Sequence, residues 1–251
     1  MTVEVHKNPG DRAGLDAAIA DVVATGYSRV ARLEHDNQIY WLKRPERGSI
    51  RMRLQKGNPL TNFDAERAAL KELCAQGLPF SAIVAEGAEY FVTRDGGPPL
   101  MAILRQRLLS DEERTEAFSM AGQGLAQMHA RGFSHGRPSI KDMCWKDGKI
   151  TLLDLEYYTP EWNNFKGHVY DLILFLHSAF AAVEDTRPEI NAAIRAYRDH
   201  DTKDVWSGAQ SWCRRRRLID PLTRPIQWLP TRHVRDFRAI PLLFKVMGET
   251  P

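Results

Sequence analysis

The order of signals along the chain predicts an α+β protein in two parts, a small β-rich N-terminal lobe and a larger helical C-terminal lobe. Three observations carry this. Short apolar and aromatic runs bounded by polar turns fill residues 1–94, with one helical stretch among them. A Gly/Pro linker, "DGGPPL", then spans Asp95 to Leu100. Beyond it, within residues 95–251, apolar residues recur at helical spacing around a single strand pair.

The elements follow in order. "YSRVARLEH" and "QIYWLKRP" flank the polar turn "EHDN" and read as paired strands. "NPLTNFDAERAALKELCAQGLP" sets Phe63, Ala65, Leu70 and Leu73 at helical spacing, with Asn62 as the expected cap and Gly77 and Pro79 as the stop. "AIVAEGAEYFVTRDGG" reads as two strands about a Gly turn, and "DEERTEAFSMAGQGLAQMHARG" as a second helix, stopped at Gly132. "SHGRPSIKDMCWKDGKITLLDLE" gives loop, strand, Asp-Gly turn and strand. "VYDLILFLHSAFAAVED" and "PEINAAIRAYRDH" are helical. Neither an internal repeat nor a low-complexity tract is present.

Composition narrows the classes. With 251 residues, 27% charged and 43% hydrophobic, the chain can bury a core without staples. Cys74, Cys144 and Cys213 are odd in number and far apart, which argues against a disulfide framework or structural zinc and favours the reducing cytoplasm. "MTVEVHKNPGDRAG" has no apolar stretch of the secretory kind. "VYDLILFLHSAFAAV" contains Asp171 and His177 and is too short and polar to span a bilayer. A net charge of +3 implies no nucleic-acid partner by itself.

The chemistry-bearing residues form an ordered set. Lys43 ends the strand "YWLK", and Glu66 sits in the helix after it. Taken singly, each is an ordinary solvated side chain. His135 and Gly136 follow "LAQMHARGFS", and the hairpin then delivers Asp154 at the end of "LLD", where a carboxylate can ligate magnesium or simply cap a turn. Asp171 opens the next apolar stretch, as an N-cap or as a brace for the preceding loop. Phosphoryl transfer needs such parts: a strand lysine for phosphates, a helix glutamate to hold it, an acid near the acceptor, and oxygen ligands for metal.

In "MHARGFSHGRPSIKD" and "ITLLDLE" the chain resembles the protein-kinase-like superfamily. The likeness is nearest to its compact bacterial and archaeal branch of lipopolysaccharide-core and Kdo kinases and the small kinase of the KEOPS complex. It runs from roughly Gly26 to Ala182, over half the chain. The resemblance implies a bilobal fold, ATP and Mg²⁺. It assigns Lys43 to the α/β-phosphates, Glu66 to orienting Lys43, Asp142 and Asp154 to magnesium, and His135 and Asp171 to the catalytic loop. The short gap from Asp154 to Asp171 and the absence of an A-P-E motif argue against a regulated eukaryote-type protein kinase.

The departures matter as much. The family's base aspartate maps to Arg137, its metal-binding asparagine to Asp142, and the glycine closing its Asp-Phe-Gly motif to Glu156. The glycine-rich loop is poor, with Gly26 in "ATGYSRVARLEHDN". A guanidinium stays protonated and accepts no proton, yet it stabilises phosphate charge. Lys141 either reaches the γ-phosphate or is a solvated loop lysine.

Two functions follow. One is an atypical ATP-dependent phosphotransferase acting on a sugar-lipid or protein. The other is a pseudokinase that binds a nucleotide or partner, with Arg137 closing the acid's place. The tract Arg214, Arg215, Arg216, Arg217 is a solvated run, a contact for an anionic membrane surface, or an RNA contact. The membrane reading would put a cytoplasmic bacterial protein at the periphery of the inner membrane.

Overall fold

The computed structural model describes residues 9–47, 59–229 and 234–248. The reading of the N-terminus as lacking a secretory stretch rests partly on residues 1–8, which lie outside these. The fold is α+β, with a small antiparallel sheet and a mostly helical remainder. The chain divides into two compact units, residues 1–95 and 96–251.

In the first unit, α1 (Pro9–Ala24) precedes the hairpin of β1 (Val30–His35) and β2 (Gln38–Lys43). After them come α2 (Pro59–Ala75), β3 (Ile83–Gly87) and β4 (Tyr90–Arg94). The sheet order is β1-β2-β4-β3, antiparallel throughout. Asp36 and Asn37 both take left-handed φ, as a tight hairpin turn between twisted strands requires. Strand alternation sorts the side chains. Leu33, Tyr40, Leu42 and Val92 face one way and pack with Ile19 of α1. The cross-strand partners Lys43 and Phe91 face the other way, where Phe91 stacks on Phe63 of α2 at 5.2 Å.

Two features of this unit differ from expectation. The sequence reading has one helix here; α1 is a second. Its apolar stripe is narrow (Leu15, Ala18, Ile19, Val22) and lies among Ala and Asp. Asn62 does not cap α2, because the helix begins at Pro59, a residue that suits a first turn since it needs no amide donor. The stop is at Gly77, whose φ is +69°. There the Gly77 N–H donates to the Cys74 carbonyl (2.9 Å) and the Leu78 N–H to the Leu73 carbonyl (3.1 Å), closing the last turn.

The second unit contains α3 (Leu100–Gln106), which begins where the linker was expected to end, and α4 (Asp111–Ala130). The hairpin β5 (Met143–Lys146) and β6 (Lys149–Leu152) comes next, then a 3₁₀ turn (Pro160–Trp162). The remaining helices are α5 (Phe165–Val183), α6 (Pro188–Asp199), α7 (Val205–Arg215), α8 (Ile219–Gln227) and α9 (Arg235–Gly248). Helix α4 starts with a reciprocal capping box, Ser110 with Glu113. It ends at Gly132 with the same pair of carbonyl bonds as α2. It crosses α6 so closely that a Cβ on Gly122 would lie 2.1 Å from the Ala193 carbonyl oxygen. A buried Arg114–Glu189 pair at 2.9 Å joins the two helices.

Helix α5 forms the apolar centre, burying Leu172, Phe175, Leu176 and Phe180. It is capped by Asn164, whose side chain accepts from the Gly167 N–H at 3.1 Å. Asp171 therefore lies in the second turn of α5 and is not its N-cap. No helix among the described residues is long and apolar enough to cross a membrane.

Candidate functional site

In the first unit, β2 ends with Lys43 on the face that α2 covers, and α2 turns Glu66 toward it. Lys43 Nζ and Glu66 Oε1 are 2.5 Å apart, with Glu66 only 7% exposed. A lysine held by a buried carboxylate at a strand end has its ammonium fixed in place; a solvated lysine does not.

In the second unit, Ser134–Gly136 is tied down from beneath. Asp171, fully buried, accepts from the His135 N–H (2.5 Å) and the Gly136 N–H (3.0 Å), and His129 Nε2 lies 3.4 Å from the same carboxylate. Of the two readings of Asp171, the structure shows the loop contact. His135 Nε2 bonds the Leu153 carbonyl at 2.9 Å, linking the loop to the strand that leads to Asp154. Burial lowers the His135 pKa. Gly136 has φ +96°, and a Cβ there would meet the Tyr157 carbonyl oxygen at 2.3 Å, so no side chain fits.

Behind this loop lies a network with no single-residue signal in the sequence. His168 stacks on His129 at 4.7 Å between ring centroids, and its Nδ1 is 2.8 Å from Ser134 Oγ. Because Ser134 Oγ donates to the Trp162 carbonyl, it accepts from His168, which fits a neutral imidazole. Burial, then the neighbouring His129, lower the His168 pKa to about 4. Tyr197 sits 2.7 Å from His129 Nδ1, and burial raises its pKa, so it keeps its proton. These contacts depend on how α4, α5 and α6 pack, which spacing within one segment does not reveal.

The outer part of the loop is charged. Arg137 lies over the Tyr157 ring, guanidinium carbon 4.0 Å from the centroid. Tyr157 was absent from the sequence reading; its place two residues beyond Leu155 was the only available cue. Lys141, half exposed, is 3.5 Å from Asp142 Oδ2. The Asp142 pKa is raised to about 6: burial is the main cause and Asp154 adds to it, against the opposing pull of Lys141 and Arg137. Arg137, Lys141, Asp142 and Asp154 thus share one electrostatic neighbourhood. Asp154 has φ +63°, a strained angle for a residue with a side chain. A pocket of about 270 Å³ opens beside Gly136, walled by Tyr157, Trp162, Tyr170 and Leu174.

Among the described residues no group of three or more His, Cys, Asp or Glu could hold a metal. Asp142 and Asp154 remain as two neighbouring hard oxygen donors, a set that suits Mg²⁺ shared with phosphates rather than a closed protein cage. In the basic tract, Arg214 and Arg215 end α7, Arg216 lies over Trp212 at 4.4 Å, and Arg217 leads into α8.

No family model matches the chain. It is similar to an uncharacterized protein of Haemophilus influenzae, with 25% identity over 178 residues, 71% of this chain and 74% of that protein.

Proposed function

We propose that the chain is an atypical ATP-dependent phosphotransferase with a protein-kinase-like bilobal fold, resembling the lipopolysaccharide-kinase branch. The observation that carries this is the Asp171 brace. A buried carboxylate from the second turn of α5 fixes the backbone of the His135–Gly136 loop next to Arg137, and Arg137 and Asp154 both act on the charge of Asp142. The Lys43–Glu66 pair supplies the phosphate-holding lysine that the reading requires. Such preorganised charge is the main contribution a protein makes to phosphoryl transfer.

In this reading Lys43 binds the α/β-phosphates and Glu66 keeps it oriented. Asp142 and Asp154 would hold Mg²⁺, which supplies charge neutralisation at the phosphates when bound. Arg137 takes no proton and instead offsets negative charge on the transferred group. With Asp142 on the metal, the acceptor hydroxyl receives little base assistance, which a loose transition state tolerates, and its proton leaves to water or to a phosphoryl oxygen. The pocket beside Gly136 leaves room for an acceptor, a sugar-lipid or a protein side chain.

The second reading is a pseudokinase that binds a nucleotide or a partner. It is favoured by one observation: Arg137 is already engaged with Tyr157. Thermal shift with ATP, with and without Mg²⁺, followed by ATP turnover, separates the two. A magnesium-dependent shift that Asp154→Ala abolishes, together with turnover that Arg137→Ala lowers, supports the enzyme. Nucleotide binding without turnover over a broad set of metals and acceptors leaves the pseudokinase.

A further inference from the structure

Helix α8 is built inside out. Beside Ile219, its half-buried side carries polar residues bonded to one another: Gln227 Nε2 donates to Thr223 Oγ1 (2.9 Å) and Asp220 Oδ1 (3.2 Å). Arg238 of α9 grips its end, donating to the carbonyls of Gln227 (3.0 Å) and Leu229 (2.6 Å) and to Glu184 (2.8 Å). The other aliphatic residues are exposed. Leu218, Leu222 and Ile226 follow at four-residue spacing, and Leu229 continues their row. Leu222 is 75% exposed and Trp228 80%. Five of the thirteen large hydrophobics exposed among the described residues fall within Leu218–Leu229, so the patch is a concentration and not scatter.

Cations precede this stripe along the chain, and one lies within it. Arg214, Arg215, Arg217 and Arg224 are exposed, and among the described residues the first three form no ion pair. An exposed aliphatic row accompanied by arginines, on a helix clamped by its polar side, fits a surface with an anionic skin over an apolar interior. RNA would use the arginines and leave the leucines and isoleucine in water, since bases stack on aromatic faces. A second copy docking by the same patch would set the two sets of arginines against each other.

We propose that α8 and the preceding arginines form a membrane-docking surface that lies in the headgroup layer of an anionic bilayer, with Leu218, Leu222, Ile226 and Trp228 inserted. The proposal stands apart from the catalytic reading, because it uses none of the same residues.

The test is sedimentation of the full chain with phosphatidylglycerol/phosphatidylcholine vesicles and with phosphatidylcholine alone. Bromine-labelled lipid is included as a quencher of tryptophan fluorescence. Binding is expected to the anionic vesicles only. Leu222→Glu should weaken it about tenfold or more at any salt concentration. Neutralising Arg214, Arg215 and Arg217 to Gln should weaken it about fivefold per arginine at low salt and less at high salt. Trp228→Phe should remove a distinct part of the quenching while binding persists. Circular dichroism melts confirm that the variants fold, as expected for such exposed positions. Three results each overturn the proposal: no vesicle binding, vesicle binding that ignores Leu222→Glu, or binding to single-stranded RNA in place of vesicles. Self-association of the wild type that Leu222→Glu abolishes also overturns it, by assigning the stripe to a second copy.

Discussion

The two halves of the loop between α4 and β5 are held in different ways. In the inner half, Ser134 to Gly136, polar groups meet buried partners: Asn163, Trp162, His168, Asp171 and Leu153. In the outer half, Arg137 to Asp142, the charged groups are engaged by one ring stack and one 3.5 Å contact, and the Asp142 carboxyl is buried at a cost. Densely hydrogen-bonded buried networks set shape. Charges left in tension are characteristic of places that meet a ligand. The inner half is therefore expected to govern stability, and the outer half to respond to what is bound.

The largest effect should come from breaking the inner half. Asp171→Asn leaves one oxygen for two amides and turns an N–H₂ group toward donors. Urea unfolding should show a loss of about 3 kcal/mol or more. A loss below about 1 kcal/mol would erase the distinction between the halves.

Acid should act on the same half. His168 has a folded pKa of about 4, below its unfolded value, and burial lowers His135 as well. Their contribution is complete above the unfolded histidine value and is lost as pH falls from there through about 4. For His168 this amounts to ~2–3 kcal/mol. Stability measured from pH 7 to pH 4 should fall accordingly, and His168→Asn should flatten the curve.

Asp142 works in the opposite direction. Its folded pKa, about 6, lies above the unfolded carboxylate value. Its contribution is complete below the unfolded value and is lost as pH rises through about 6. Asp142→Asn should therefore stabilise the apo protein by ~1–3 kcal/mol at pH 8 and have little effect near pH 4. A destabilised variant at pH 8 would place Asp142 with the inner half.

Smallest is Arg137→Ala. A stack on an exposed tyrosine and a screened attraction to Asp142 are lost, so stability should change by less than about 1 kcal/mol. Nucleotide-dependent stabilisation should drop at the same time. A large fall in stability without nucleotide would move Arg137 to the structural side of the comparison.

Legibility in the sequence followed the range of the interaction. The turns Asp36–Asn37 and Asp147–Gly148 and the helix stops at Gly77 and Gly132 could be read, because backbone conformations with positive φ select these residue types locally. Helix α1 could not, since Ile19, the only buried apolar side chain among its described ones, gains meaning from a sheet made by later residues. The start of α5 was misplaced because "NNFKGH" is polar and resembles a loop, which moved Asp171 to a helix end it does not occupy. Lys43, Glu66, His135, Asp142, Asp154 and Asp171 were recognisable as an ordered pattern. His129, His168 and Tyr197 were not, because their contacts come from three helices meeting.

The Asp171 brace has a further consequence for the polarity of the backbone. A trans peptide holds its carbonyl opposite its N–H, so with the amides of His135 and Gly136 both turned to one carboxylate, the carbonyl oxygens of Ser134 and His135 are both turned away from it. Two peptide dipoles are aligned here without a helix to align them. Consecutive amides directed at one anion form the kind of concavity that elsewhere holds a phosphate. This protein places its own side chain there. The direction of those two peptides is thereby set from within, before any ligand arrives and after it leaves.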